Sequence, residues 1–159
     1  MALLHDVGKI GVHDAILRKP GRLTDKEFSD IKNHTVIGSQ ILSRISSMPE
    51  LQYGALYHHE RWDGKGYPRG LKGEEIPEAA RIIAVADAYD AMTSNRSYRK
   101  ALTQDRVHDE IVNGIGRQFW PPAARAMLKM MDQDIHYDMR QKNDESSQND
   151  EQKYEYGIS

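Results

Sequence analysis

Apolar side chains recur every three or four residues along most of the chain, which is the spacing of one face of an α-helix. The pattern is clearest after Thr24–Glu27, a capping box whose hydroxyl and carboxylate satisfy free amides at a helix start. The apolar positions from Phe28 to Ile45 predict a helix through about Arg44, with a break near His34. No stretch alternates apolar and polar residues as a half-buried strand does, so the predicted fold is all-α.

The first residues of the chain, Met1–Leu4, are apolar and follow no capping residue. They are typical of the end of a helix whose start would precede Met1, so we expect an N-terminally truncated domain. Gly8 and Gly11 are expected to end this helix, and a loop is predicted over Val12–Leu23.

Four more helices are predicted further along the chain. The run from Pro77 to about Ser94 is apolar nearly all round, which indicates a helix that lies in the core. The other three are predicted over Glu50–His59, over Arg106–Val112 and from Pro121-Pro122 onward.

Two stretches lack any helical pattern. Trp62–Gly73 contains four Gly and one Pro in 12 residues, which predicts an irregular loop. Residues 140–159 are mostly polar or charged and cannot bury enough apolar surface to offset the entropy lost on ordering. We therefore expect one domain over residues 1–133 and a disordered tail over 140–159.

The amino-acid composition excludes several classes of binding site and of location. A formal net charge of -2 argues against a surface that coats nucleic acid or a polybasic membrane anchor. The chain has no Cys, which excludes a disulfide framework, a thiolate zinc site and a Cys nucleophile, and leaves its seven His and its carboxylates as metal ligands. No apolar run approaches the roughly 20 residues that span a bilayer, and no signal peptide is visible, so a cytoplasmic location is expected.

Candidate chemistry begins with His5-Asp6, followed by Lys9, where an apolar turn meets a Gly-containing segment. A lone His, such as His34, is more often a cap or a hydrogen-bonded core residue than a ligand. Asp87 is harder to explain in that way, because a carboxylate inside an apolar helix must be paired or metal-bound to offset desolvation. The sequence thus predicts a cation near Asp87.

The adjacent pair His58-His59 needs separate treatment. Neighbouring residues differ by about 100° around a helix, which prevents them from holding one ion as an i, i+4 pair does. They would then serve two neighbouring ions, or one would be a ligand while the other contacts substrate. Four His and two Asp suit a two-metal site with one bridging carboxylate, for which Asp6 is the candidate.

These motifs closely resemble the HD-GYP family over about residues 2–128. The resemblance is carried by His5–Gly11, the spaced His34, Tyr57–Gly64, Gly66-Tyr67-Pro68 and Asp87–Thr93. That family is a bacterial subgroup of the HD metal-dependent phosphohydrolases, and its members hydrolyse the second messenger cyclic di-GMP. The resemblance implies a bundle of α-helices, which agrees with the pattern of apolar residues, and a role in signal transduction.

The resemblance also implies roles for individual residues. Lys9 would lie near the metal-bound hydroxide and the substrate phosphate, and Tyr67 would lean over the substrate. Arg96 and Arg99 would contact phosphate or guanine, although a solvated run of charges is the alternative. Two divalent ions, iron or manganese, would be held by His5, Asp6, His34, His58, His59 and Asp87.

The chain departs from the family pattern in two places. A helix that usually precedes the His-Asp motif, and that supplies a further Glu and His in some members, is absent before Leu4, so a trinuclear site is not expected. Trp120 also stands where the family commonly has Asp, which is expected to change a helix cap and not the metal site.

The expected partners are cyclic di-GMP, a GGDEF-type diguanylate cyclase docked on the Trp62–Gly73 loop, a sensory or receiver domain before Met1, and a second copy in a homodimer. The leading hypothesis is hydrolysis of cyclic di-GMP to linear pGpG, GMP or both. Two alternatives stay open. One is a catalytically weak module that senses cyclic di-GMP or docks a protein, and the other is an HD phosphohydrolase acting on another nucleotide.

Overall fold

The computed structural model describes residues 2–95, 100–134 and 136–139. This part of the chain contains seven α-helices and three short 3₁₀ turns, joined by loops. The 3₁₀ turns are Ala2–Leu4, Val7–Gly11 and Gly73–Glu75. The helices are α1 (Asp14–Leu17), α2 (Asp25–Lys32), α3 (His34–Leu42), α4 (Leu51–Tyr57), α5 (Glu78–Thr93), α6 (Gln104–Gly114) and α7 (Pro121–Gln133).

The predicted all-α fold is confirmed, and so is the break near His34. Thr24 caps α2 and forms the expected capping box with Glu27. α2 ends at Lys32 and α3 begins at His34, so Asn33 separates the two helices. The described residues contain no strand, and their one bridge pairs Ile115 with Phe119.

Two predictions about local structure were wrong. Residues Ala2–Leu4 and Val7–Gly11 form 3₁₀ turns, whereas the sequence predicted the end of an α-helix. The predicted loop Val12–Leu23 contains the short helix α1, which has no buried residue and thus no apolar periodicity to reveal it.

The larger of two apolar clusters joins the last three helices. α5, α6 and α7 each pack against the other two, and the exposed Ile82 of α5 shows that this helix is buried on most sides but not all. Burial here supplies the main stabilisation of this half of the fold. The buried members are Val85, Tyr89, Val107, Ile111, Phe119, Ala124 and Met131.

The smaller cluster fixes the N-terminal motif against the bundle. Leu42 of α3 packs with Leu51 and Ala55 of α4, and Val7 packs against this group. Gly8 lies so close to α3 that a Cβ atom on it would come 1.9 Å from the carbonyl oxygen of His34. The segment that carries His5 and Asp6 is therefore held directly against the start of α3.

No helix in the described part of the chain is long and apolar enough to cross a bilayer. The predicted disordered tail, residues 140–159, lies outside the described residues.

Candidate metal centre

The carboxylate of Asp6 lies at the centre of a cluster of imidazoles. Its Oδ1 atom is 3.3 Å from Nε2 of His34 and 3.8 Å from Nε2 of His58. Its Oδ2 atom is 3.4 Å from Nε2 of His5 and also contacts the ammonium group of Lys9. The two oxygens of one side chain thus face different imidazoles.

This arrangement creates two groups of ligand-type atoms that share Asp6. In each group, one ligand atom from every residue lies within 4.8 Å of the others. One group is Asp6, His34, His58 and His59, and the other is His5, Asp6 and Asp87.

Backbone carbonyl groups orient three of the imidazoles. The Nδ1 atom of each ring contacts a carbonyl oxygen three residues earlier in the chain, which requires a proton on Nδ1. In the neutral form of each ring, the Nε2 atom is then the one that carries the lone pair and faces the cluster, as is usual for histidine ligands of metals. The three pairs are His5 with Ala2, His34 with Ile31, and His58 with Ala55.

Burial keeps two of the imidazoles neutral. Burial and the neighbouring charge of His5 together lower the pKa of His58 to about 4. Burial also lowers the pKa of His59 to about 3, with a contribution from His58. Because a histidine binds a metal ion through its neutral form, these two rings are available as ligands at neutral pH.

The carboxylates of the cluster remain ionised. Burial alone would raise the pKa of Asp6, but its contacts with His34, His5 and Lys9 outweigh burial and hold that pKa far below the usual range. Burial would also raise the pKa of Asp87, but its contact with His5 outweighs burial and lowers that pKa. Both side chains can therefore act as anionic ligands.

His5 has one nitrogen that suits a cation. Its Nε2 lies 3.4 Å from Asp6 and 3.5 Å from Asp87, and these two carboxylates raise the pKa of His5 to about 10. The nitrogen is buried and makes no properly directed hydrogen bond with any described residue. A proton or a metal ion at this nitrogen would satisfy both carboxylates, so the residues present fit a metal ion here.

The structure brings the rings of His58 and His59 close together. Their ring centroids are only 4.1 Å apart, and both rings belong to the same four-residue group as Asp6. His58 is the C-cap residue of α4 and keeps helical dihedral angles, with φ -64° and ψ -16°. The assignment of the two rings to two ions, or to one ion and the substrate, stays a prediction.

The cluster lies at the floor of an open cavity of about 780 Å³, within the range of small-molecule sites. Tyr67 from the Trp62–Gly73 loop covers one side, with its ring centroid 4.8 Å from that of His59. Burial raises the pKa of Tyr67, and the carboxylates of Asp87 and Asp6 raise it further. The phenol is thus a neutral hydrogen-bond donor at the cavity wall.

Sequence reasoning missed Glu60. This residue is buried, and its two carboxylate oxygens accept hydrogen bonds from the backbone amides of Arg69, at 2.7 Å, and Leu71, at 3.0 Å. Gly66 packs on the backbone of Glu60, with room for no side chain. Glu60 therefore holds the loop that carries Tyr67, and a carboxylate directly after two candidate ligands was the available signal.

Three further sequence predictions concern Trp120, Arg96 and Arg99. Trp120 is the N-cap residue of α7, and its ring lies 4.7 Å from the guanidinium of Arg81. It lies at the helix cap where a change was expected, and its side chain makes no capping hydrogen bond. The predicted substrate contacts Arg96 and Arg99 lie outside the described residues.

The sequence matches the family model described as HD domain over residues 1–140. It is 48% identical over 151 residues to a Thermotoga maritima protein named cyclic di-GMP phosphodiesterase, which covers 93% of this chain and 41% of that relative. It is 40% identical over 134 residues to 3'3'-cGAMP-specific phosphodiesterase 2 of Vibrio cholerae, covering 83% of this chain and 26% of that relative. The chain spans less than half the length of these relatives.

The fold is also similar to a crystal structure of a cyclic GMP-AMP-specific phosphodiesterase from V. cholerae. The TM-score is 0.57 at 17% sequence identity, and the alignment covers 85% of this chain and 37% of that chain. At this level of identity, the similarity establishes the helical fold.

Proposed function

The chain belongs to the HD domain family, and on that basis we propose that it is a metal-dependent phosphodiesterase that hydrolyses cyclic di-GMP. The observation that carries the proposal is the carboxylate of Asp6, whose Oδ1 faces His34 and whose Oδ2 faces His5. A carboxylate placed between two groups of ligands is typical of sites that hold two metal ions. The 48% identical relative named cyclic di-GMP phosphodiesterase supports the choice of substrate.

The two groups would each hold one divalent ion. Imidazole and carboxylate ligands without sulfur suit iron, manganese, zinc, nickel or cobalt, and iron and manganese are the ions that we propose. When bound, two such ions supply an activated water and neutralise charge on the phosphate during in-line displacement. The proposed ligands are His34, His58 and His59 with Oδ1 of Asp6 for one ion, and His5 and Asp87 with Oδ2 of Asp6 for the other.

The remaining side chains of the cavity would bind and orient the phosphodiester. Lys9 contacts Asp6 and brings a positive charge to the cluster, where it can pair with a phosphate oxygen. The phenol of Tyr67 stays protonated and can donate a hydrogen bond to the same group. Arg96 and Arg99 are proposed as phosphate or guanine contacts on the family resemblance alone. The products would be linear pGpG, GMP or both.

A second candidate substrate is a different cyclic dinucleotide. The observation that favours it is the 40% identity to a relative named as specific for 3'3'-cGAMP, in which adenine replaces one guanine. The two candidates share the metal site and the phosphodiester chemistry. They differ only in which purine base, guanine or adenine, the cavity must bind.

The Trp62–Gly73 loop would also contact a GGDEF-type diguanylate cyclase, as the family resemblance implies. The buried carboxylate of Glu60 accepts hydrogen bonds from two backbone amides of the loop. Pro68, Arg69 and Gly70 are exposed at the tip of the loop. A co-purification test with Arg69→Ala, in metal-loaded protein, would examine this contact separately from hydrolysis.

The proposed activity is tested by chromatography of pGpG and GMP formed from cyclic di-GMP with added manganese or iron. We expect turnover by the wild type and by Asp109→Ala, which changes an exposed carboxylate on α6. Asp6→Ala should lose about a thousandfold in rate, because both groups of ligands lose a member. Full activity of Asp6→Ala would contradict the proposal. Cyclic di-GMP binding without turnover would favour a sensing module, and faster turnover of 3'3'-cGAMP would favour the second substrate.

A further inference from the structure

One face of α2 lines the cavity beside the metal centre. Phe28 and Lys32 are one helical turn apart, so their side chains lie on the same face. The Phe28 ring meets the Tyr67 ring edge to face, with centroids 6.3 Å apart and planes at 78°. The ammonium group of Lys32 lies 4.5 Å from the centroid of Phe28 and 5.5 Å from that of Tyr67.

The side chains of Phe28 and Lys32 line the cavity, where a ligand can reach them. α2 has no buried residue, and Phe28 is 45% exposed, so its ring does not serve mainly as core. Within the described ranges, the ion pairs include no carboxylate partner for Lys32. An exposed aromatic ring with a cation over one of its faces can bind nucleobases, through stacking and through donation to base acceptors.

The position of this group relative to the metal centre also fits a base. Tyr67 contacts His59 on one side and Phe28 on the other, with centroid distances of 4.8 Å and 6.3 Å. Lys32 precedes His34 by two residues, so the cation and a candidate metal ligand are held by the same turn of chain. A base stacked against Phe28 would thus lie next to a phosphate bound at the metal centre.

We propose that Phe28, Lys32 and Tyr67 form a subsite for one purine base of the cyclic dinucleotide, in which Lys32 selects guanine over adenine. This inference rests on the proposed phosphodiester-binding site. Lysine carries only donors, and the edge of guanine presents two acceptors, O6 and N7. Adenine presents N7 beside an amino group, and that amino group is a donor that repels the ammonium. Phe28 stacks either purine, while Lys32 favours guanine.

The test is calorimetric binding of hydrolysis-resistant phosphorothioate analogues of cyclic di-GMP and cyclic di-AMP to the metal-loaded chain. Lys32→Met keeps the length of the side chain and removes its charge, and Lys26→Met makes the same change at an exposed position of α2. Lys32→Met should weaken binding of the cyclic di-GMP analogue about tenfold. Binding of the cyclic di-AMP analogue should change by less than about twofold, because its base offers Lys32 only one acceptor.

Two further results complete the experiment. Phe28→Ala should weaken both analogues about tenfold, since stacking does not depend on the base. Lys26→Met should bind both as the wild type does, and all variants should retain the wild-type metal content.

Unchanged binding in Lys32→Met and Phe28→Ala, with tight binding by the wild type, would overturn the subsite and leave the proposed function standing. Equal losses for the two analogues in Lys32→Met would overturn the selection of guanine. Failure of the wild type to bind either analogue would overturn the proposed function and the subsite together.

Discussion

The Nε2 atoms of His34 and His58 lie 3.4 Å apart and point at each other across the floor of the cavity. The Nδ1 atom of each ring faces a backbone carbonyl, so both Nε2 atoms carry lone pairs. Two lone pairs at this distance repel each other unless a cation or a proton lies between or beside them. The rigid carbonyl contacts therefore prepare these rings to share a metal ion with Asp6.

Because burial lowers the pKa of His58 and His59, we expect the stability of the metal-free chain to decrease in acid. Folding lowers the pKa of His58 from 6.5 to about 4, so the unfolded chain binds more protons between these two values. The free energy of unfolding of the metal-free chain should therefore fall as the pH decreases from 6.5 towards 4. Urea titrations across this range measure the change.

His59→Gln is the matched variant for this prediction, because it removes one of the two rings whose pKa burial lowers. The variant should lose less stability than the wild type over the same pH interval. Parallel pH profiles for the two proteins would contradict the protonation account.

Gly8→Ala should destabilise the chain and weaken metal binding together. A Cβ atom at Gly8 would lie 1.9 Å from the carbonyl oxygen of His34 and 2.4 Å from the amide of Gly38, both of which are backbone atoms. We expect a loss of about 1–3 kcal/mol in the free energy of unfolding, because α3 must move away from the N-terminal motif. Chemical denaturation and a metal titration measure the two effects.

Gly11→Ala is the control for this change. The added Cβ atom would meet the flexible end of the Ile37 side chain at 2.6 Å, which can move aside. The loss of stability and of metal affinity should be smaller than in Gly8→Ala. Equal effects of the two substitutions would show that the close approach of Gly8 to α3 is not what positions Asp6.

Glu60→Gln should reduce turnover of cyclic di-GMP without changing the metal content. The carboxylate accepts hydrogen bonds from the backbone N–H groups of Arg69 and Leu71. The side-chain amide of Gln has only one oxygen, so its NH₂ group would face one of these two N–H groups. Leaving that buried group unpaired costs about 1–3 kcal/mol, which loosens the loop that carries Tyr67. Steady-state kinetics and elemental analysis measure the outcome.

Glu75→Gln makes the same substitution in a more exposed contact, where the carboxylate accepts a hydrogen bond from the amide of Lys72. This variant should keep the wild-type rate. If Glu60→Gln lost its metal ions, Glu60 would act on the metal centre and not on the loop.

The helices and the candidate ligands were largely predictable from the sequence, because each depends on local spacing or on a motif. The capping box at Thr24 and the polar Asp87 within an apolar helix are examples. The contact between the His58 and His59 rings was not predictable from periodicity, because it depends on how the two side chains are oriented in the folded cluster. Lys32 and Phe28 gave no sequence signal of their own, since only the tertiary fold brings α2 against Tyr67.

We propose that Asp6 serves two metal ions at once. Elemental analysis of the manganese-loaded chain, combined with electron paramagnetic resonance, measures both the number of ions and the coupling between them. We expect two ions per wild-type chain with a spectrum of magnetically coupled manganese, and loss of the coupled signal in Asp6→Ala. One uncoupled ion per wild-type chain, or a coupled pair that persists in Asp6→Ala, would contradict it.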